Sequence, residues 1–456
     1  MNGELEPRNF YRLPWSLTDN GISWLEVTNK CNLTCKGCYR DQRGGGHKGL
    51  EEIADDLGVF RRHRKSDCMS IAGGDPLVHP QIVEIVAMVK AGGWKPIVNT
   101  NGLALTPSLL HEIRRAGVFG FTFHVDASQV RPDSHATSER EHNALRQKLA
   151  EMLAAEGSLG CSFNQTVNAE TLAEVPDVVR WARKRPDLVH SIVFILYRQP
   201  LLMGAYDYFV GDRRIVPRES YQDCAWGGSN RVTAADIVRT IREAEPGYKP
   251  CAYLNGTEDP NSLKWLLAMR VAAGERTFGF VSPKFMEAAQ TASHLLRGRW
   301  LAYCSPKDLR CGLTSALALA PFDRRMRGIA RRWIRSALHQ PSLWIRHVHL
   351  QTFAIIQPID VLPDGRMNMC DGCPDLTVYQ GRLYWSCRLE EIKNWGRFMT
   401  AVPRRASAGE ELAGGREGDG HGKREHVFAE LQETAVGVER GRVGGRDPAE
   451  VRETVI

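Results

Sequence analysis

Apolar and polar positions follow two different periods over roughly the first two hundred residues. Short runs rich in β-branched or aromatic residues occur at Trp24–Thr28, Cys68–Ala72, Lys95–Thr100, Phe119–Asp126, Gly160–Val167 and His190–Tyr197. Between them, Pro80–Ala91, Pro107–Ala116, Glu139–Glu156 and Leu172–Lys184 show the three-to-four-residue spacing of amphipathic helices. Strand–helix alternation predicts right-handed βαβ crossovers and a parallel sheet. Reactive groups on parallel barrels gather where strands end, and the chemistry-bearing residues fall there. The first run leads into Cys31, Cys35 and Cys38. The second leads into Gly73, Gly74 and Asp75, and the third closes on Asn99 and Asn101. The fourth places Thr122, His124 and Asp126 on one face, and the fifth does the same with Ser162, Asn164 and Thr166. Which face of the fifth strand looks inward is not given by the pattern.

Past residue 200 the rhythm stops. Met326, Ile329, Ala330, Trp333, Ile334, Ala337 and Leu338 form an apolar stripe, with arginines at 324, 325, 327, 331, 332 and 335 on other faces. Such a helix packs on its own domain with the arginines in water, or lies on an anionic membrane surface. Ile355 to Cys370 predicts a short hairpin turning at Pro363-Asp364-Gly365. It leads into Cys370-Asp-Gly-Cys373, with Cys387 beyond. From about Pro403 the chain turns to Gly, Glu and Arg, too little apolar area to offset ordering entropy. A largely disordered tail is expected there, with a short helix over 425–434. The divisions expected are an N-terminal extension over 1–19, a core barrel over 20–215, a helical insert over 216–350, a cysteine-bearing module over 351–400 and the tail over 401–456.

The chain has 456 residues and a formal net charge of +7, a mild excess that does not point to nucleic acid. No apolar h-region follows Met1, and the longest weakly polar run, Cys311 to Phe322, is too short to span a bilayer. A cytoplasmic placement is therefore expected, membrane-associated if the Arg-rich helix lies on a surface. Twelve cysteines in such a protein point to metal or redox chemistry. Cys68 and Cys161 sit in apolar strands and read as buried small hydrophobes.

Three thiolates spaced CxxxCxxC fill three corners of a cubic iron–sulfur cluster and leave the fourth iron open, whereas structural zinc closes with four ligands. That spacing, directly after a strand near the N-terminus, resembles the signature of radical S-adenosylmethionine (SAM) enzymes. The resemblance covers residues 20–200, and 355–390 in part. It implies an α/β fold built on a partial (β/α)6 barrel, with a helical and cysteine-bearing C-terminal extension. It also implies a 4Fe-4S cluster on Cys31, Cys35 and Cys38, and SAM bound at the open iron. Reductive cleavage of SAM would give a 5′-deoxyadenosyl radical that takes hydrogen from a substrate C–H bond.

On the same resemblance, Gly73, Gly74, Asp75, Asn99, Asn101 and Asp126 shape the SAM pocket, with exposed backbone groups at the glycines gripping its amino group. Asp126 and His124 are the candidate catalytic residues; His124 reads equally as a satisfied core histidine. Asp75 stands where the family usually has Glu. Gly37 stands where an aromatic or bulky residue commonly packs on the adenine, so Tyr39 is put forward for that contact. The hairpin and CxxC resemble in part the auxiliary-cluster modules of SPASM or twitch type. That implies a second iron–sulfur cluster on Cys370, Cys373 and Cys387, with a fourth ligand from Cys251, Cys304 or Cys311, or none. A zinc knuckle on the same cysteines is the other reading. The auxiliary module leans toward a peptide substrate, the tryptophan- and arginine-rich helices toward a lipid or isoprenoid. A reduced flavodoxin- or ferredoxin-type donor is the expected partner. The competing function is a zinc- or cluster-binding scaffold on a catalytically inactive barrel, which would not cleave SAM.

Overall fold

In the computed structural model, six parallel strands follow one another in chain order: Asp19–Thr28, Lys65–Gly73, Lys95–Thr100, Gly120–His124, Gly160–Val167 and Ser191–Leu196. The structure describes residues 5–36, 38, 40, 45–197, 206–216, 232–309, 314 and 318–404. Helices Leu50–His63, Ile82–Ala91, Pro107–Arg115, Glu139–Glu156 and Val175–Lys184 fill the crossovers. Their starts are written locally. Thr106 caps the third with Pro107 at its first position, and Ser138 and Glu141 form a capping box on the fourth. Phe121 stacks on Phe123, Phe123 packs on Phe163, and Phe163 meets Trp181 of the fifth helix edge-on. These rings turn toward the helices, so Thr122, His124, Ser162, Asn164 and Thr166 line the interior.

The sheet does not stop at six strands. His349–Ile356 adds in parallel to the sixth, Trp265–Ala273 adds antiparallel to it, then Ala252–Leu254 and Tyr11–Arg12 follow. With Arg276–Phe280 on the side, the sheet has eleven strands. Residues 13–18 join its two edges, and Trp15 packs edge-on against Trp265 at 6.4 Å. The expectation of a helical insert over 216–350 is corrected accordingly. Among its described residues, three consecutive sheet strands lie between helix Ala234–Ala244 and helices Pro283–Arg297 and Arg324–His339. Trp265–Ala273 reads Trp-Leu-Leu-Ala-Met-Arg-Val-Ala-Ala, apolar on both faces, and such a run does not declare its own period.

Helix Arg324–His339 buries Met326, Ile329, Ala330, Trp333 and Ala337 in a second core. Most of its apolar stripe is thus covered by protein, while Ile334 and Leu338 stay exposed. Among the described residues no helix is long and apolar enough to cross a membrane. The hairpin forms as Asp360–Val361 against Met367–Asn368. Order continues past residue 400, where the tail was expected: Thr400–Pro403 pairs with Tyr206–Val210. Residues 405–456, including the helix expected over 425–434, lie outside the described residues.

Candidate metal and cofactor site

The cysteine triad is laid onto the loop that follows the fourth strand. Thr34–Cys35 pairs antiparallel with Gln129–Val130, and the Lys36 amide donates to the Ser128 carbonyl at 2.9 Å. Asn101 Nδ2 donates to Asn32 Oδ1 at 2.7 Å and lies 3.7 Å from Cys31 Sγ. All three thiols are half-buried. Burial pushes the Cys35 thiol far up; Asp126, Cys38 and Cys31 push it further, and Arg131 opposes them. Burial likewise raises Cys31. Cys38 makes both Cys31 and Cys35 harder to ionise, and a shared cationic group relieves that, so the donor set fits a thiolate-bound cluster. Among the described residues no three His, Cys, Asp or Glu side chains close on one point as a mononuclear ion requires. Thiolates on separate irons of a cubane need no such convergence.

The glycine pair has a structural task within the chain. Gly73 has φ +135°, and a Cβ there would sit 2.1 Å from the Thr28 carbonyl; one on Gly74 would sit 2.2 Å from that of Lys30. The Gly74 amide donates to Thr28 and the Asp75 amide to Lys30, at 2.8 and 2.9 Å. These N–H groups are spent on the chain itself, fastening the second strand's end to the segment that runs into Cys31. Asp75 is buried and accepts from Thr100 Oγ1 and from the amides of Asn101 and Leu77. Burial raises its carboxyl. It clamps the second strand's end to the third. Asn99 is half-buried and makes only a long contact to its own strand, 3.5 Å to the Ile97 carbonyl.

Asp126 is fully buried and accepts from Ser128, from the Thr166 amide at 2.9 Å and from His124 Nε2 at 2.6 Å. Burial would raise its carboxyl, but His124 and the hydrogen bonds hold it well below the usual range. Burial would lower His124, and Asp126 outweighs it and raises it. The His124 side chain is 39% exposed and also touches Thr166 Oγ1 at 3.1 Å. Asp126 is therefore the support and His124 the member open to the barrel interior. Behind them Glu139 and Arg146 form an ion pair with both side chains 0% exposed. Arg146 donates to the Val125 carbonyl and Glu139 accepts from the Ala127 amide.

Two features of the site were not foreseen. Arg131 donates to the Asn101 carbonyl and to Gln129 Oε1, both at 2.9 Å, placing a cation beside the triad. Arg40 forms buried ion pairs with Glu26 of the first strand and with Glu390, 3.2 Å away, just after Cys387. Glu26 could have been found: a carboxylate inside an apolar strand needs a partner. Tyr39 and Gly37 lie outside the described residues.

Cys370, Cys373 and Cys387 form a second thiol group. A hydrogen bond with Cys370, then burial, then the charges of Cys370, Asp375 and Cys387 push the Cys373 thiol well above its ordinary value. Burial pushes Asp375 up to about 6, with Arg64 opposing. The turn is held from afar. Buried Arg64 donates to the carbonyls of Cys373 and Pro374, and Asn20 Nδ2 to that of Gly372. Gly372 has φ +68°, and a Cβ there would sit 2.1 Å from the Trp15 carbonyl. Of the candidate fourth ligands, Cys251 donates to the Leu267 carbonyl in the second core and Cys304 lines an interior cavity. Cys311 lies outside the described residues.

Residues 25–182 match the Radical SAM superfamily model. The AdoMet-dependent heme synthase of Methanosarcina barkeri is 25% identical over 179 residues, 38% of this chain and 50% of that protein. The PqqA peptide cyclase of Xanthomonas campestris is 23% identical over 180 residues, 37% of this chain and 46% of that one. Streptococcus suis SuiB bound to precursor peptide SuiA aligns with 14% identity and a TM-score of 0.35, over 50% of this chain and 46% of that one. The chain spans half or less of the length of these relatives. The family implies a 4Fe-4S cluster and SAM binding. The CxxxCxxC triad lies inside the matched stretch and six parallel strands surround it, so residues 25–182 of this chain are similar to the Radical SAM superfamily in motif and in fold.

Proposed function

We propose that this protein is a radical SAM enzyme acting on a C–H bond of a peptide. The observation that carries the reading is the triad: Cys31, Cys35 and Cys38 share one field at the C-terminal ends of the parallel strands. These residues would hold the cluster. When bound, it supplies the electron that splits SAM to the 5′-deoxyadenosyl radical, which takes the substrate hydrogen. The chain's own work is positioning and exclusion of side reactions. Asp75 and Asn101 hold the loop into Cys31 against the strand ends, and Asp126 fixes the ring of His124 toward the interior. Cys370, Cys373 and Cys387 would hold a second cluster, as electron acceptor or substrate ligand.

A peptide is favoured because a relative named as a peptide cyclase matches over the same domain. The lipid reading has less support, since the Arg-rich helix turns most of its apolar stripe into the second core. A reduced flavodoxin- or ferredoxin-type protein would supply the electron. Anaerobic reconstitution followed by SAM and dithionite is expected to yield 5′-deoxyadenosine, and Cys35→Ala to yield none. Intact SAM beside a fully assembled cluster would make the barrel a scaffold instead.

A further inference from the structure

The lower half of the barrel interior holds a cavity of about 140 Å³. On one wall, Ser162, Ser191 and Thr352 lie side by side on three neighbouring strands: Ser191 is in register with Ser162 on one side and with Thr352 on the other. Ser162 is only 4% exposed. The buried Trp15 Nε1 that also lines the space has no hydrogen-bond partner among the described residues, and Ser191 and Thr352 are half-buried. The rest of the lining is largely apolar: Met269 stands in register beside Thr352, and Trp265, Met286 and Leu301 line the space as well. Gln290 is there too, but both ends of its amide bind the backbone of Leu301. Among the described lining residues there is no Asp, Glu, Lys or Arg.

We propose that this cavity is a binding site for a small uncharged ring compound bearing one hydrogen-bonding oxygen, seated against the Ser162–Ser191–Thr352 hydroxyl row. The volume suits one ring: a buried apolar cavity of roughly 150 Å³ stays dry and takes up benzene. Leaving a buried donor such as Trp15 Nε1 unmatched is costly, and a ligand oxygen beside the hydroxyl row relieves it. An ion would meet no counter-charge, which sets the neutral class. The cavity's ceiling is Tyr303, whose hydroxyl lies 3.4 Å from Thr122 Oγ1. Two residues further up the fifth strand, about 7 Å at strand rise, comes Asn164, whose Oδ1 is buried without a partner. Thr122 stands in register with Ser162, level with the row, and His124 with Asn164, so a ring seated at the row presents its substituent to His124 and Asn164. That use as a substrate anchor rests on the function proposed above; the binding does not.

Phenol and benzene, titrated calorimetrically into the full-length reconstituted protein, test it. Phenol is expected to bind saturably at one site. The near-isosteric Thr352→Val should weaken phenol about tenfold and leave benzene unchanged, and Ala354→Leu, filling the cavity, should abolish both. No saturable phenol binding, as a water-filled space would give, overturns the site, as does equal phenol affinity in Thr352→Val. If Ala354→Leu does not fold, the Thr352→Val pair of titrations decides alone. Phenol binding without 5′-deoxyadenosine formation would refute the enzymatic reading and leave the site standing.

Discussion

The two cysteine groups use the same ligand chemistry and are held in opposite ways. Around Cys31, Cys35 and Cys38 the supports come from the ends of successive strands: Thr28, Asp75, Asn101 and the Gln129–Arg131 segment. Around Cys370 and Cys373 they come from more than three hundred residues away, from Asn20 and Arg64. The first site is built by local repetition of strand and turn; the second exists only once the module has docked on the first strand of the barrel. Arg40 between Glu26 and Glu390, with Lys393 near Asn29 at 3.4 Å, ties one to the other.

The sharpest break in that comparison is by cysteine. Cys35→Ala is expected to abolish 5′-deoxyadenosine. Cys373→Ser should keep SAM cleavage while iron falls from about eight to about four per chain. Wild-type protein carrying about four irons and a zinc would show that the two sites differ in metal as well as in support. Next in size is Arg64→Met, which strips donors from the Ile22, Cys373 and Pro374 carbonyls. A loss of about 3 kcal/mol in urea unfolding is expected, with iron lost from the second site first.

Glu390→Gln removes one carboxylate from the buried Arg40 and should cost about 2 kcal/mol. Alkylation of Cys38 in cluster-free protein should quicken several-fold; an unchanged rate would mean the sites are independent. The smallest effect is on pH. Asp126 titrates below its unfolded value, so its contribution is present above about pH 4 and is lost as pH falls. His124 titrates above its unfolded value, so its contribution is present below about pH 6.5 and is lost as pH rises through the raised value. Unfolding of cluster-free Asp126→Asn at several pH values should show both slopes flattened.

Much of the first site was legible because its information is local. The spacing of three cysteines after Trp24–Thr28, the glycines after Cys68–Ala72 and the inward face of Phe119–Asp126 each sit within a few residues. Their roles were less legible. Asp75, Gly74 and Asp126 turn out to be saturated by partners from other strands, and a sequence does not show which hydrogen bonds are already taken. Trp265–Ala273 was missed as a strand because burial on both faces erases the period-two signal.

What the sequence determined by itself is the parallel core and the location of the triad, since side-chain period and turn residues are properties of consecutive positions. What only tertiary structure decided is the closing of the sheet by residues 13–18, the docking of the second thiol group and the hydroxyl row of Ser162, Ser191 and Thr352. Those depend on strand register and on which distant residue meets a buried charge, and both are settled by packing the whole chain at once.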